Sequence, residues 1–276
     1  MARLSLDDNP DACMPLDDED FLRLKKTHGS SLWSRPHPCQ TCGDKGWFRR
    51  REPDGSIAEY HCSCEEQWLL HLWLLNAGIG MAYQRLSLRD VPDERLKSVT
   101  EALDYITYIE GNLRLGLGMM LWSELRGTGK TLVATLALKR VLAAGYDGYF
   151  TTFPDMLDMY QSTWRDKEEK AWFDRRVRNV QFLVIDDIGK EGPQRSRDVS
   201  ESMVDAVIRA RNAASLPTII TTNLSPEEVD QGYSVASLLA GTVKPVHVVG
   251  QDYRQVQREQ ADQDVVDDVY RPVVMV

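Results

Sequence analysis

The apolar positions along the chain fall into two rhythms. Continuous runs at Leu117-Gly118-Met119-Met120-Leu121-Trp122 and Phe182-Leu183-Val184-Ile185 have the length of strands buried on both faces, and so does the β-branched run Pro217-Thr218-Ile219-Ile220-Thr221-Thr222-Asn223. Between them the spacing is helical. Residues 132–142 are apolar on most faces, and Met203, Val204, Val207 and Ile208 recur along one face ahead of the third strand. Alternation of strand and helix from residue 116 to about residue 254 predicts an α/β fold: a parallel sheet with right-handed crossovers, flanked by helices.

The ends of these strands carry the chemistry. After the first comes Gly127-Thr128-Gly129-Lys130-Thr131 and then a helix, the arrangement of a phosphate-binding loop (P-loop). Glycines let successive N–H groups face phosphate oxygens, the Lys130 ammonium reaches the β/γ-phosphates, and the Thr131 hydroxyl ligates Mg²⁺. The anion would sit at the positive N-terminus of the helix. The motif G-x-x-x-x-G-K-[ST] has its first glycine where this chain has Glu124, so the loop must form with a carboxylate there that points away from the triphosphate. A Gly-rich turn that binds nothing is the alternative. The second strand ends in Asp186-Asp187, where Asp186 would hold Mg²⁺ and Asp187 would orient the attacking water; a capped turn is the alternative. Asn223 ends the third strand and places an amide where it could contact the γ-phosphate or that water.

Four of the five cysteines cluster as Cys39-x-x-Cys42 and Cys62-x-Cys64, which suits a Zn²⁺ site built from two short turns, with Gly43-Asp44-Lys45-Gly46 as the first knuckle. C-x-C is less usual than C-x-x-C, so His61 is an alternative fourth ligand. Disulfides compete, but the chain carries no secretory signal pattern and an ATPase core implies the cytoplasm, where thiols stay reduced. Cys13 lies alone in an acidic stretch and is expected to be a free thiol.

Charge changes the picture of partners. A net charge of −9 over 276 residues argues against a protein whose main affinity is for duplex DNA. Cations do gather locally: Lys45, Arg49, Arg50 and Arg51 around Trp47 and Phe48, and Arg165, Lys167, Lys170, Arg175, Arg176 and Arg178 ahead of the acidic strand. Cations with aromatic residues suit single-stranded DNA, while the interspersed acids make a solvated surface the alternative. The apolar segment Trp68-Leu69-Leu70-His71-Leu72-Trp73-Leu74-Leu75 is too short to span a membrane and reads as a helix packing the cysteine module onto the ATPase.

The order G-T-G-K-T, F-L-V-I-D-D-I-G, L-P-T-I-I-T-T-N-L-S and V-V-G-Q-D-Y-R resembles the AAA+ ATPase domain of bacterial and phage replicative helicase loaders of the DnaC type. Transposition helper ATPases of the IstB type are close relatives. The resemblance runs from about residue 76 to residue 254 and includes Ala77-Gly78-Ile79-Gly80-Met81-Ala82-Tyr83-Gln84-Arg85. It implies ATP as ligand, Arg254 as a second sensor, and self-assembly in which a neighbour donates an arginine finger. Where many relatives carry that arginine the chain reads Ala236-Ser237-Leu238-Leu239-Ala240, which leaves Arg209 or Arg211 as candidates, each with a solvated helix face as its alternative. Such loaders commonly carry an N-terminal zinc module, and the insertion ahead of their acidic strand contributes to single-strand binding. The expected layout is an acidic tail at 1–35, a zinc-binding module and linking helix at 36–76, an AAA+ domain at 77–255 and a tail at 256–276. The expected function is a weakly hydrolysing, cytoplasmic, phage-encoded loader of a replicative hexameric helicase onto single-stranded DNA. A transposase helper, or an adaptor that binds nucleotide with little turnover, are the alternatives.

Overall fold

The computed structural model describes residues 18–28, 39–43, 45, 47–91, 100–189, 194–232, 241–267 and 271–275. Cys13 and the 236–240 segment lie outside the described residues. The chain divides into two compact units, residues 1–85 with 271–275, and residues 86–270.

The smaller unit opens with helix α1 (Asp18–His28), followed by an antiparallel hairpin of β1 (Trp47–Arg51) and β2 (Ile57–His61). The hairpin turns where Gly55 takes φ 86° and the Asp54 carboxylate accepts from the Ser56 N–H at 2.9 Å. Helix α2 (Ser63–Asn76) starts directly after Cys62, with Glu65 and Glu66 in its first turn where the dipole favours acids. Its Leu72 is buried with Leu24 of α1, and Trp68 and Leu75 pack against them, so Trp68 is core. A short helix α3 (Met81–Gln84) follows. Residues 271–275 belong to this unit: the Gln67 side chain donates to Val273 O at 3.3 Å and accepts from Val273 N at 2.8 Å.

The larger unit begins with α4 (Thr100–Thr107) and α5 (Ile109–Leu115), then alternates β3 (Gly118–Trp122), α6 (Lys130–Ala143), β4 (Gly148–Thr152), α7 (Phe153–Ser162) and α8 (Lys167–Phe173). A π-helical turn (Asp174–Arg178) leads to β5 (Phe182–Ile188), α9 (Gln194–Ala213), β6 (Thr218–Thr222), α10 (Pro226–Gly232), β7 (Val243–His247) and α11 (Arg254–Val266). The five strands stand in the order β4-β5-β6-β3-β7, all parallel. The expected parallel sheet flanked by helices is borne out. All three predicted runs are its central strands, and Phe182, Leu183, Val184 and Ile185 are each fully buried.

One irregularity in the sheet matters later. The pairing of β5 with β6 passes from Ile185↔Ile220 to Ile188↔Thr222, so Asp186 and Asp187 together stand opposite Thr221. This bulge turns Asp187 into the left-handed region at φ 67°. Beyond the sheet, α1 and α11 occupy stretches that composition marked as tails. No residue of helix α11 is buried, and the helix is laced by side-chain hydrogen bonds four residues apart: Gln255 to Glu259, Gln260 to Asp264 and Gln263 to Asp267.

Candidate functional site

The loop between β3 and α6 is held from several sides. The Trp122 ring stacks on His247 at the end of β7, with centroids 4.0 Å apart and planes 12° from parallel. His247 Nε2 lies 3.3 Å from the Glu124 carboxylate. That contact answers the missing first glycine, because the carboxylate is turned toward an imidazole. Hydrogen bonding to its own backbone N–H, and then the His247 contact, hold the Glu124 carboxyl below the usual range. Gly127 and Gly129 have φ 71° and 96°, where a side chain is strained. Lys130 opens α6, is buried, and donates to Ser123 O at 3.3 Å and Leu125 O at 2.9 Å. The cation thus lies folded over carbonyls of its own loop. The Thr128 hydroxyl, also in the loop, is buried without a hydrogen-bond partner.

The acids of β5 meet this loop. Thr131 Oγ1 donates to the Asp186 carboxylate, at 3.0 Å to Oδ1 and 3.2 Å to Oδ2. Thr221 Oγ1 of β6 also donates to Asp186 Oδ1, at 2.6 Å, and accepts from the Asp187 backbone N–H at 2.9 Å. A hydroxyl and a carboxylate side by side form the hard oxygen pair that suits Mg²⁺. Asn223 follows β6 directly and is half-buried. Arg254 opens α11 and is exposed; its neighbour Tyr253 donates from its backbone to Gly127 O at 3.2 Å. Gly127, Thr128, Gly129, Lys130, Thr131 and Asp186 are therefore brought together, and the start of α11 is tied to them. Sequence reasoning singled out neither Thr221, which lay within a β-branched run, nor His247.

The two arginines considered as fingers part company. Arg211 is fully buried and donates to the carbonyls of Val177 (3.0 Å), Val180 (2.8 Å), Arg178 (3.3 Å) and Pro217 (2.7 Å) and to Thr218 Oγ1 (2.9 Å). Burial lowers its pKa to about 9. It is neither a finger nor a solvated residue, because its donors are consumed inside the domain. Arg209 is exposed and pairs with Asp205 at 2.7 Å.

The basic clusters are likewise partly spent. Arg176 is buried over the Tyr149 ring at 4.9 Å and paired with Asp147 at 3.5 Å, while Lys170 pairs with Asp174. Arg165 and Lys167 are exposed, close in sequence to the exposed Trp164. On the hairpin, Arg49 lies over Trp47 and meets Glu59 at 3.3 Å, and Arg50 lies over Tyr60 and meets Glu52 at 3.4 Å. Each of those cations has an acid beside it, which weakens a phosphate-binding reading there.

The cysteines converge. Cys39 Sγ lies 3.6 Å from Cys62 Sγ, Cys42 Sγ lies 3.3 Å from Cys64 Sγ, and all four sulfurs fall within 4.8 Å of one another. Thiolates about 2.3 Å from a tetrahedral Zn²⁺ would stand about 3.8 Å apart, close to these separations and far from a disulfide's roughly 2.05 Å. Backbone N–H groups of Cys42 and Thr41 lower the Cys39 pKa to about 6, toward the thiolate a metal requires. His61 is not among the converging ligands: it is exposed and paired with Glu65 at 2.7 Å.

The geometry of this loop, sheet and acidic strand can be set beside known proteins. No family model matches the chain. The replicative helicase loader DnaI of Bacillus subtilis (strain 168) is 24% identical over 159 residues, which cover 56% of this chain and 48% of that protein. A crystal structure of the DnaC helicase loader superposes with a TM-score of 0.50 at 22% identity, covering 61% of this chain and 98% of the other. The chain resembles DnaC-type helicase loaders, on an AAA+ fold. It spans about half the length of the curated loader it matches. A structure of AMPPCP-bound DnaA from Aquifex aeolicus aligns at 17% identity with a TM-score of 0.46, over 67% of this chain and 56% of that one. Among the described residues no helix is long and apolar enough to cross a membrane.

Proposed function

We propose that this chain is an ATP-binding, slowly hydrolysing helicase loader that delivers a replicative hexameric helicase onto single-stranded DNA in a cytoplasm, that of the host if it is phage-encoded. The observation that carries the reading is the convergence of Thr131 and Asp186 beside Lys130 in a domain similar to helicase loaders. Lys130 would exchange the carbonyls of Ser123 and Leu125 for β/γ-phosphate oxygens. Thr131 and Asp186 would hold Mg²⁺, which when bound neutralises charge on the transferring phosphoryl group. Asp187 would orient the attacking water, Asn223 would contact the γ-phosphate and Arg254 would act as second sensor from the start of α11. Cys39, Cys42, Cys62 and Cys64 would hold one Zn²⁺, and the module around it would meet the helicase.

Turnover by the isolated chain would be slow. Asp187 reaches less far than a glutamate, and burial of Arg211 leaves the finger to a neighbouring subunit, where Arg209 is the remaining candidate. The turn of Glu124 onto His247 and the inward fold of Lys130 favour a second reading, an adaptor that binds ATP and barely hydrolyses it. Affinity capture with the full chain and ATP, followed by partner identification and an ATPase assay, separates the readings. Recovery of a hexameric helicase with stimulated hydrolysis supports loading. A transposase in its place supports a transposition helper, and a partner without turnover supports the adaptor.

A further inference from the structure

We propose that Thr221 is a positioning residue for the metal of the nucleotide site. The inference rests on the reading of Asp186 as a Mg²⁺ ligand and deepens it. One hydroxyl faces both acids of β5: it donates to Asp186 Oδ1 at 2.6 Å and accepts from the Asp187 backbone N–H at 2.9 Å. A hydroxyl carries a single proton, so donation to the carboxylate leaves its lone pair for Asp187, and both directions of the bond are used. Thr221 is 1% exposed, so water does not substitute for it.

The bulge explains why the residue falls there. With Asp186 and Asp187 opposite one residue of β6, ordinary ladder pairing is interrupted and Asp187 sits at φ 67°, a conformation that costs a non-glycine residue free energy. The Thr221 hydroxyl receives the Asp187 N–H that the bulge displaces from the ladder. The same atom fixes the direction of the Asp186 carboxylate from the β6 side, while Thr131 fixes it from α6. Groups that orient a ligand carboxylate set metal affinity without touching the metal. Because Thr221 lies two residues before Asn223, movement of the end of β6 would reach the metal-holding carboxylate through one bond.

The test is the Mg²⁺ dependence of binding of a fluorescent ATP analogue to the full chain. Thr221→Val keeps the shape and removes the hydroxyl, and Thr221→Ser keeps the hydroxyl. Valine should raise the half-saturating Mg²⁺ concentration about tenfold while binding in excess chelator stays unchanged, and serine should restore the wild-type value. A merely structural residue would lower both kinds of binding together. If valine folds poorly, Thr221→Cys, a weaker donor of similar size, should fall between serine and wild type on one side and loss of the hydroxyl on the other. Wild-type Mg²⁺ dependence in the valine variant, parallel loss of metal-free binding, or failure of serine to restore would each overturn the proposal. If wild-type protein binds the analogue without any Mg²⁺ dependence, the reading of Asp186 as a Mg²⁺ ligand falls and the role of Thr221 with it, an outcome visible before any variant is made.

Discussion

The Asp252 carboxylate packs so closely on Gly127 that a Cβ at residue 127 would come within 1.8 Å of Asp252 Oδ1. The same oxygen accepts the Arg254 N–H at 3.0 Å, so it is held between the phosphate-binding loop and the first turn of α11. Gly127→Ala therefore meets two obstacles, a φ of 71° and an occupied space. ATP affinity should fall by at least about tenfold, roughly 1.4 kcal/mol. The double variant Gly127→Ala/Asp252→Gly, which clears the space but not the strain, should recover part of that loss in a binding titration. Full wild-type affinity in the single alanine variant would show that the loop tolerates displacement of Asp252.

Removing the loop cation has a separate signature. Lys130→Ala should weaken ATP binding by about tenfold or more, because it removes the cation that would meet the β/γ-phosphates, while the domain stays folded, because Glu124, Leu125 and Arg126 of the same loop are exposed to water. Calorimetric titration with a thermal melt reads both quantities. Unchanged affinity would place the triphosphate elsewhere.

For the cysteine cluster, freshly purified protein should carry about one zinc per chain by elemental analysis. Serine at Cys39, Cys42, Cys62 or Cys64 should remove the metal and unfold the hairpin region, whereas Cys13→Ser should change neither. Protein prepared without chelator that carries no zinc would refute the assignment.

Arg211 should behave as a core residue. Replacing it with leucine leaves the carbonyls of Val177, Val180 and Pro217 without their buried donor, at a cost of about 3–5 kcal/mol in urea unfolding. Arg209→Leu, on the exposed side of the same helix, should stay within about 0.5 kcal/mol. Comparable losses at the two positions would contradict the burial assigned to Arg211.

His71 gives the smaller unit a pH dependence. Burial holds its imidazole below the ordinary value, and its Nδ1 lies 2.6 Å from Gln84 Oε1, whose amide in turn donates to Ile79 O. The unfolded chain therefore binds the proton more readily, so this stabilisation is complete above about pH 6.5 and is lost as pH falls below it. His61 acts in the opposite sense through Glu65, but it is exposed and its contribution is screened. Melts from pH 8 to pH 5 should show a loss that His71→Gln flattens. An equal slope in that variant would exclude the histidine.

Local pattern was enough to determine the three central strands of the parallel sheet, the phosphate-binding loop and the pairing of cysteine turns, but not the outer strands β4 and β7. Each depends on neighbours in the chain: β-branched runs that favour pleated backbone, glycines at positive φ ahead of a helix, thiols a few residues apart. Tertiary structure alone decided which side chains those elements bring face to face. Thr131, Asp186 and Thr221 lie on three elements far apart in sequence, and they meet because parallel strands are held in one register and shifted by one bulge. Arg211 and Arg209 are indistinguishable as residues of one cationic helix segment, yet one points into the crowded ends of β6 and the π-helical turn and the other into water. The partner of Glu124 sits at the end of another strand, so the sequence shows the departure from the glycine motif and only the packing of β7 beside β3 shows how it is accommodated.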